Sequence, residues 1–306
     1  MARKVIVFGA TGGVGSATAL TARQLGAEVS LAMRDISKTI PSLESSTEKE
    51  SGFPRIQADL AQPDSVRSAV TQTGAQYAFV YTLWGTSDHM RPSFEALKAA
   101  GIKSIVLLSS FSVHGDPRSC PTTHLIAWTH AQVEIALQDV FGPDGYVIVR
   151  LAFFATNARW WARDIAGGEV RISYPRVRWD FISPDDIGAI CGRILVQVSQ
   201  SEERIVGLVG REYMSMREAI GVIARVLGKE VRVTTISQDE CVQRFIAEDG
   251  LPEVLARDVL REYDEAGDGE FYPNVPEARG NVERYLQRPP TGFEEWVQQH
   301  KDVFVV

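Results

Sequence analysis

Apolar segments of strand length alternate with helical patterns along most of this chain. An apolar run at residues 5–8 precedes a helical pattern that ends at Gly26, and a second apolar run begins at Val29. Apolar runs of this length, separated by helices, are typical of parallel β-strands that helices cover on both faces. We therefore predict an α/β protein built on a doubly wound parallel sheet.

The same pattern predicts the limits of the later elements. Further strands are predicted at 28–35, 53–58, 77–82, 104–108, 146–150, 179–183, 205–209 and 231–235. Helices are predicted at 93–100, 123–137, 187–198, 216–227, 238–248, 252–265 and 293–300. Two segments, 36–52 and 264–280, are polar or rich in glycine, proline and acidic residues, and are predicted to be loops.

A glycine-rich turn, Gly9-Ala10-Thr11-Gly12-Gly13-Val14-Gly15, joins the first strand to the first helix. Gly9 allows a sharp turn, Gly12 lets a pyrophosphate approach the backbone, and Gly15 lets the helix pack closely on the sheet. The first N–H groups of the helix favour an anion, and Thr11 adds a hydroxyl. The order strand, turn, helix predicts dinucleotide binding rather than an empty loop. The cofactor-binding residues predicted here are Gly9, Thr11, Gly12, Gly13, Val14 and Gly15.

The second predicted strand ends at Arg34-Asp35, where the adenosine ribose is expected. An arginine here can hold the 2′-phosphate of NADPH with two hydrogen bonds, whereas an acidic residue accepts from the 2′-hydroxyl of NADH. Arg34 therefore favours NADPH as the cofactor, and Asp35 leaves NADH as the less favoured choice. Arg34 is alternatively a surface charge without a ligand.

Later strand ends bring further side chains to the crevice where open α/β sheets bind ligands. The residues expected to contact the cofactor there are Asp59, Leu60, Tyr81 and Thr82. Asp59 is equally a candidate N-cap for the helix that follows. Ser110 or Ser112 is a candidate hydrogen-bond donor to a substrate carbonyl, or else satisfies backbone groups at the end of its strand.

Aromatic side chains are concentrated near the predicted crevice. Trp84 follows the fourth main strand, while Phe153, Phe154, Trp160 and Trp161 follow the sixth. Phe154 is predicted to contact the cofactor. The other four are predicted to form a wall for a flat, apolar substrate, although tryptophans in such positions are equally candidates for packing anchors.

Composition narrows the classes of function. The chain has 306 residues with a net charge of -7, so a nucleic acid is not expected as a partner. Three widely spaced cysteines suit a reducing compartment and predict no metal site. The apolar segments are too short to span a membrane, and the first strand begins too early for a signal peptide. We therefore predict a cytoplasmic protein that binds small molecules.

Several segments, in their order along the chain, resemble one known family. They are residues 9–15, Arg34, Asp59-Leu60, the helix containing Glu134, and residues 150–157, 181–188 and 288–296. In these segments the chain is similar to the NmrA-like family of atypical short-chain dehydrogenases/reductases. The resemblance implies a Rossmann core at residues 1–150, to which 179–210 return. It also implies a small α+β substrate lobe formed by residues 151–178 and 211–306.

The family contains NAD(P)H-dependent reductases of quinones, enones, imines and dyes, and also redox sensors that bind NADP without catalysis. Typical reductases of this superfamily use a Tyr-x-x-x-Lys motif. Counting back from Glu134, its lysine position is His130 and its tyrosine position is Ile126, so neither partner is present. The quinone-oxidoreductase-like branch also has histidine at the lysine position. His130 is therefore a candidate to bond the ribose or relay a proton, or else simply contacts Glu134 or water.

We predict an NAD(P)H-dependent reductase of secondary metabolism that transfers hydride to a hydrophobic conjugated or aromatic molecule. Its candidate catalytic residues are His130 and Ser110. Two alternatives remain open at this point. One is a non-catalytic regulator that binds NADP, and the other is an isomerase or lyase that uses His130 or His124 as a base.

Overall fold

A computed structural model of the chain describes residues 2–40, 43, 53–197, 203–267 and 278–304. The strands are β1 Lys4–Phe8, β2 Glu28–Met33, β3 Arg55–Gln57, β4 Tyr77–Tyr81, β5 Ser104–Ser110, β6 Tyr146–Leu151, β7 Glu169–Ile172, β8 Arg178–Trp179, β9 Ile205–Leu208, β10 Met214–Ser215 and β11 Arg232–Thr235.

The helices alternate with these strands. They are α1 Gly13–Gln24, α2 Pro63–Thr73, α3 Arg91–Ala99, α4 Leu125–Phe141, α5 Ala162–Gly167, α6 Pro184–Gln197, α7 Met216–Leu227, α8 Gln238–Asp249, α9 Glu253–Ala266, α10 Asn281–Leu286 and α11 Phe293–Gln299. Within the described residues, three segments are 3₁₀-helical: Pro117–Ser119, Ala155–Trp161 and Lys301–Phe304.

Seven strands form one parallel sheet in the order β3-β2-β1-β4-β5-β6-β9. The order reverses at β1, which pairs with β2 on one side and with β4 on the other. This is the Rossmann arrangement, and the predicted α/β fold is confirmed. In such sheets the crevice at the point of reversal, at the carboxyl ends of the strands, is where ligands bind.

Alternate residues of the strands face two separate cores. Val5 and Val7 of β1 pack into a core formed with α1 and α6, whereas Ile6 and Phe8 pack into a core formed with α2, α3 and α4. Because successive side chains of a strand point to opposite faces, a strand covered on both sides must be apolar at every position. This is why β1 reads as a continuous apolar run.

Helices α1 and α6 approach each other through glycines. A Cβ atom on Gly188 would lie 2.5 Å from the Val14 carbonyl oxygen, and one on Gly192 would lie 2.7 Å from the Thr18 carbonyl oxygen. These distances are too short for any side chain, so the two backbones are in direct contact. The contact determines where the first turn of α1 lies relative to the sheet.

The C-terminal part of the chain builds a third core around large aromatic side chains, including Trp179, Phe181, Phe293 and Trp296. Two small sheets, β10-β8 and β11-β7, belong to this region. Helix α7 begins with a capping box in which Ser215 and Glu218 each bond the other's backbone N–H. How the chain divides into domains stays a prediction.

A buried carboxyl group connects this region to the main sheet. Asp180 accepts hydrogen bonds from the N–H groups of Phe153, at 2.9 Å, and Gly210, at 2.6 Å. Burial raises the pKa of Asp180 to about 7. The segments that follow β6 and β9 are thereby held together at the same end of the sheet.

Some predicted limits differ from the structure. The strand predicted at 179–183 is limited to Arg178–Trp179, because Asp180 bonds to neighbouring segments and Phe181 adopts a φ of 44°. Helix α4 runs four residues beyond its predicted end at 137, to Phe141. Residues 264–266 continue α9 instead of forming a loop, whereas 268–277 lie outside the described residues, as do most of 36–52 and residue 198. Within the described residues, no helix has the length and apolar character needed to cross a bilayer.

The close packing of α1 and α6 predicts a strong effect of adding one methyl group. Gly188→Ala should lower the free energy of unfolding by about 1–3 kcal/mol, because its Cβ would overlap backbone atoms of α1. Gly221→Ala is the matched control, since Gly221 is exposed in α7 and an added Cβ would meet no described residue outside its own helix within 4 Å. The free energy of unfolding of this control variant should rise by roughly 0.5–1 kcal/mol, because alanine has a higher helix propensity than glycine. Urea unfolding of both variants measures these changes. Equal changes in the free energy of unfolding would contradict the packing argument.

Candidate functional site

The carboxyl ends of β1, β2, β4, β5 and β6 open onto one cleft with a volume of about 1090 Å³. It begins among polar residues beside β2, crosses the centre of the sheet and ends against the C-terminal core. Pockets for drug-sized ligands are about 300–1,000 Å³. The cleft therefore has room for an elongated ligand.

Most residues selected from the sequence lie on the wall of this cleft. They are Gly9, Thr11, Arg34, Asp59, Leu60, Tyr81, Thr82, Trp84, Ser110, His130, Phe153, Phe154 and Trp160. Trp161 does not lie on this wall. It is 6% exposed and packs beside Phe181 in the C-terminal core, so the structure places it as a packing residue.

The glycine turn is compact, and its residues have different surroundings. Gly9 has a φ of 74°, and a Cβ there would lie 2.6 Å from the ring of Tyr81. A Cβ on Gly15 would lie 2.3 Å from the Gly9 carbonyl oxygen, so Gly15 allows close packing against the turn itself rather than against the sheet. A Cβ on Gly12 would meet only that oxygen, at 3.5 Å, among the described residues. The space above Gly12 is therefore open to a ligand.

Four of the predicted cofactor-binding residues do not lie on the cleft wall, namely Gly12, Gly13, Val14 and Gly15. A Cβ on Gly13 would lie 3.2 Å from Pro184, and Val14 is 8% exposed. Gly13, Val14 and Gly15 form the first turn of α1, whose N–H groups have no acceptor within the helix. What they offer a ligand is backbone hydrogen bonding at the positive end of the helix dipole.

Two cationic side chains and one carboxylate, which is hydrogen-bonded to a neighbouring serine, lie at the polar end of the cleft. Arg34 and Lys38 both line it. Asp35 also lines it, but its Oδ1 atom accepts from the Ser37 N–H at 2.9 Å and the Ser37 hydroxyl at 2.6 Å. These bonds hold the pKa of Asp35 below its usual value. One oxygen of the Asp35 carboxylate is thus bonded within its own loop.

The loop that contains Lys38 is braced from β3. Arg55 donates through Nη1 to the carbonyl oxygens of Ile36, at 2.7 Å, and Lys38, at 2.9 Å. Lys38 was not selected from the sequence, because it belongs to a polar segment without a recognisable motif. A second cation four residues after Arg34 is the signal that sequence reasoning missed.

Asp59 is not the N-cap of α2, a position that Gln62 occupies. Its Oδ1 atom instead accepts from the Ala61 N–H at 3.0 Å, while its own N–H donates to Ser65 Oγ at 3.0 Å. These bonds fix Asp59 and Leu60 at the floor of the cleft, next to the polar end.

A buried ion pair lies behind the middle of the cleft. Arg150 donates to both carboxylate oxygens of Glu134, through Nε at 3.0 Å and Nη2 at 2.6 Å. Its Nη1 atom donates to the Val113 carbonyl oxygen at 3.0 Å. The Ser109 hydroxyl donates to Glu134 at 2.6 Å. Sequence reasoning selected Ser110 and missed Ser109, which points to the opposite side of β5.

His130 lies between this pair and the cleft. Its Nδ1 atom is 3.4 Å from Ser109 Oγ, and Trp84 packs edge-on against its ring at 5.6 Å. Burial, and secondarily the charge of Arg150, lower the pKa of His130 to about 4. The imidazole is therefore neutral at neutral pH. Because the Ser109 proton is donated to Glu134, we assign the imidazole proton to Nδ1, which leaves Nε2 as an acceptor.

The far end of the cleft is apolar and comes from two regions. Phe153 stacks on Trp179 at 4.7 Å and meets Trp160 edge-on at 6.4 Å. Residues in and before α9 complete the wall with Leu251, Leu255, Val259, Glu262 and Tyr263. None of these was selected from the sequence, although spacings of three and four residues from 251 to 262 predict one helix face.

Among the described residues, no cluster of three or more His, Cys, Asp or Glu side chains has the arrangement of a metal site. The chemistry available in the cleft is that of hydroxyl groups, one neutral imidazole and carboxyl groups. These groups can donate and accept hydrogen bonds and transfer protons.

The sequence profile of the NmrA-like family matches residues 1–297. This chain belongs to the NmrA-like family. The nitrogen metabolite regulation-like protein bik4 of Gibberella fujikuroi is 37% identical to it over 316 residues, which cover 97% of this chain and 96% of that protein.

Two solved reductases share the fold of this NmrA-like protein. An Escherichia coli NADPH-dependent quinone oxidoreductase, complexed with NADPH, is 18% identical, with a TM-score of 0.72, covering 96% of this chain and 99% of that chain. The Citrobacter sp. triphenylmethane reductase complexed with NADP(H) is also 18% identical, with a TM-score of 0.72 and the same coverage of 96% and 99%. At these identities the likeness shows the fold.

Breaking the buried ion pair should destabilise this NmrA-like protein strongly. Glu134→Gln leaves the Arg150 guanidinium buried without a charged partner, so we expect a loss of about 3–5 kcal/mol in the free energy of unfolding. Glu203→Gln is the control, because Glu203 pairs with Arg284 at 2.6 Å while both side chains are largely exposed. That change should cost less than about 1 kcal/mol. Denaturant unfolding measures the stability of both variants. Similar losses in the free energy of unfolding would contradict the difference between the buried and the exposed ion pair.

Proposed function

We propose that this protein is an NADPH-dependent reductase of a hydrophobic, conjugated or aromatic small molecule. One observation carries the proposal: a single continuous cleft joins the glycine turn and its nearby cations to an apolar wall in the C-terminal region. A dinucleotide at the first part would bring its reactive end to the second. The two solved reductases are named for triphenylmethane and quinone acceptors, which agrees with this chemistry.

The residues at the polar end fit a dinucleotide phosphate. The first turn of α1 and the open space above Gly12 suit the pyrophosphate. Arg34 and Lys38 suit the 2′-phosphate because both are cationic and line the polar end of the cleft. Asp59 and Leu60 would then border the adenine. This arrangement favours NADPH over NADH.

The middle of the cleft would hold the nicotinamide half. Tyr81, Thr82 and Phe154 line it there, and the Nε2 acceptor of His130 suits a ribose hydroxyl. When bound, reduced nicotinamide supplies a hydride. The protein would hold an acceptor against Trp84, Phe153 and Trp160, and its hydroxyl groups would bond the acceptor oxygen. Positioning of this kind is a large part of catalysis.

A non-catalytic NADP-binding regulator is the second candidate. The name of the Gibberella fujikuroi protein, a nitrogen metabolite regulation-like protein, favours it. The apolar wall around Leu255 and Trp160 opposes it, because a sensor of cofactor state alone has no need of a second binding region. A lyase or isomerase that uses His130 or His124 as a base receives little support. A pKa of about 4 makes His130 a weak base, and His124 does not line the cleft.

Cofactor turnover tests the proposal. NADPH and NADH are titrated by tryptophan fluorescence, and loss of reduced-cofactor absorbance is followed against quinones, enones, imines, triphenylmethane dyes and simple ketones. We expect tight NADPH binding and oxidation with at least one conjugated acceptor. Tight binding without oxidation by any acceptor would support the regulator, and absence of binding would contradict both candidates.

Arg34 should determine the choice of cofactor. Removing a charged hydrogen-bond partner costs about 1.5–3 kcal/mol, so Arg34→Ala should weaken NADPH binding roughly 10- to 100-fold. NADH binding should change less than about twofold, because its ribose lacks the phosphate. Arg67→Ala, which removes an exposed charge from α2, serves as the control. An equal loss of NADPH and NADH affinity in Arg34→Ala would contradict the assigned role.

A further inference from the structure

We propose that Glu262 supplies the proton that accompanies hydride transfer, through the hydroxyls of Ser112 and Ser110. This inference rests on the proposed reductase function and gives that function a proton donor. It also assigns a catalytic contribution to α9, more than a hundred residues beyond the helix that contains His130.

The position of Glu262 is unusual for a carboxyl group. It lies in the last turns of α9, is 7% exposed and lines the substrate end of the cleft together with Val259 and Tyr263. Glutamate is rarely buried without a charged partner. Within the described residues Glu262 forms no salt bridge, so its burial is not explained by ion pairing.

The charges that face Glu262 disfavour its ionised form or are engaged elsewhere. Asp258 and Glu265 are like charges on α9 and raise its pKa. Arg261 would lower that pKa, but it bonds Asp258 at 2.9 Å and Glu265 at 2.6 Å. Burial is the largest cause and outweighs the Ser112 side chain, which lowers the pKa, so the pKa of Glu262 is raised to about 7.

The neighbouring elements add few charges to this site. On the side of α4, His124 approaches Glu265 at 4.0 Å. His114, after β5, has a pKa lowered by burial, and His130 is neutral at neutral pH. From the side of α8, Cys241 is a buried thiol whose pKa is raised. Glu262 therefore retains its proton up to about neutral pH.

A chain of hydroxyl groups leads from Glu262 toward the centre of the sheet. Ser112 lies near enough to Glu262 to influence its pKa, and both residues line the cleft. Ser110 Oγ lies 3.1 Å from Ser112 Oγ, and the Ser112 N–H also donates to Ser110 Oγ at 3.1 Å. Ser110 ends β5, at the crevice edge, and both serines line the cleft. A substrate oxygen bonded to Ser110 is thus connected to the carboxyl group.

Reduction of a conjugated carbonyl acceptor requires one hydride and one proton, and both have a source in this scheme. Hydride from the reduced nicotinamide forms a C–H bond at the electron-poor carbon of an enone, and the π electrons move to the carbonyl oxygen. That oxygen takes a proton from Ser110, Ser110 takes one from Ser112, and Ser112 takes one from Glu262. The Glu262 O–H bond breaks, the cofactor leaves oxidised, and solvent returns the proton to the carboxylate.

A cationic acceptor has a different requirement. Hydride addition to the central carbon of a cationic triphenylmethane dye neutralises the cation, and no proton is taken up. The proposal therefore predicts that loss of the Glu262 proton affects enone or quinone reduction but not dye reduction. A purely structural role for Glu262 would affect both acceptors alike.

The test compares Glu262→Gln with Glu253→Gln, an exposed position in the first turn of the same helix. General acid catalysis contributes about 10²–10⁴-fold, so Glu262→Gln should lower kcat for an enone or quinone at least about 100-fold. Dye reduction and the Kd for NADPH should change less than about twofold. Wild-type kcat for the enone should fall as pH rises through about 7, where Glu262 loses its proton, and this fall should be absent in Glu262→Gln.

Infrared titration supplies a readout independent of turnover. The wild-type protein should lose a carboxylic-acid carbonyl band near pH 7 that Glu262→Gln lacks and Glu253→Gln retains. Asp180 also titrates near pH 7, so its carboxylic-acid band should be present at low pH in the wild-type protein and in both variants. If Glu262→Gln does not fold, Ser112→Ala interrupts the same hydroxyl chain with a smaller change and should slow only enone or quinone reduction.

The outcomes separate this inference from the proposed function. The role of Glu262 would be overturned if Glu262→Gln lost equal kcat with the dye and the enone. An unchanged pH profile in that variant, or an infrared titration identical to the wild type, would also overturn it. None of these results would contradict the reductase activity. A wild-type protein that binds NADPH but reduces no acceptor would overturn the reductase, and with it the proton transfer.

Discussion

The buried pair of Arg150 and Glu134 holds the crevice side of the molecule in place. Arg150 belongs to β6, Glu134 to α4 and Ser109 to β5, so one set of hydrogen bonds connects three elements. The same guanidinium bonds the Val113 carbonyl and so orders the segment that follows Ser112. Because both charges are buried, a change in this geometry would leave a buried charge without its partner.

The electrostatics of the cleft follow from this arrangement. Arg150 adds to the burial that keeps His130 uncharged, while burial beside Asp258 keeps the proton on Glu262. The two titratable groups that flank the substrate region are therefore shifted in opposite directions, and both shifts favour the neutral form. Neutral, hydrogen-bonding side chains around an apolar wall suit a hydrophobic molecule that has a polar acceptor atom.

Short-range patterns were sufficient to predict the sheet, its helices and the glycine turn, because each depends on neighbouring residues. The parts that could not be predicted depend on tertiary packing. Ser109 and Ser110 differ by one position and face opposite sides of β5, and only the structure shows which one meets Glu134. Trp160 reaches the cleft whereas Trp161 is buried beside Phe181. Glu262 enters the site only because α9 packs against α4.

The glycine contact between α1 and α6 has a consequence for ligand recognition. The two backbones touch at Gly188 and Gly192, and Pro184 lies beneath Gly13 at the start of α1. The first turn of α1 therefore has little freedom to move, whether or not a ligand is present. A preorganised anion site loses little conformational entropy on association. Affinity for a phosphate at this turn would then be set largely by hydrogen bonding and charge, with no accompanying rearrangement of the fold.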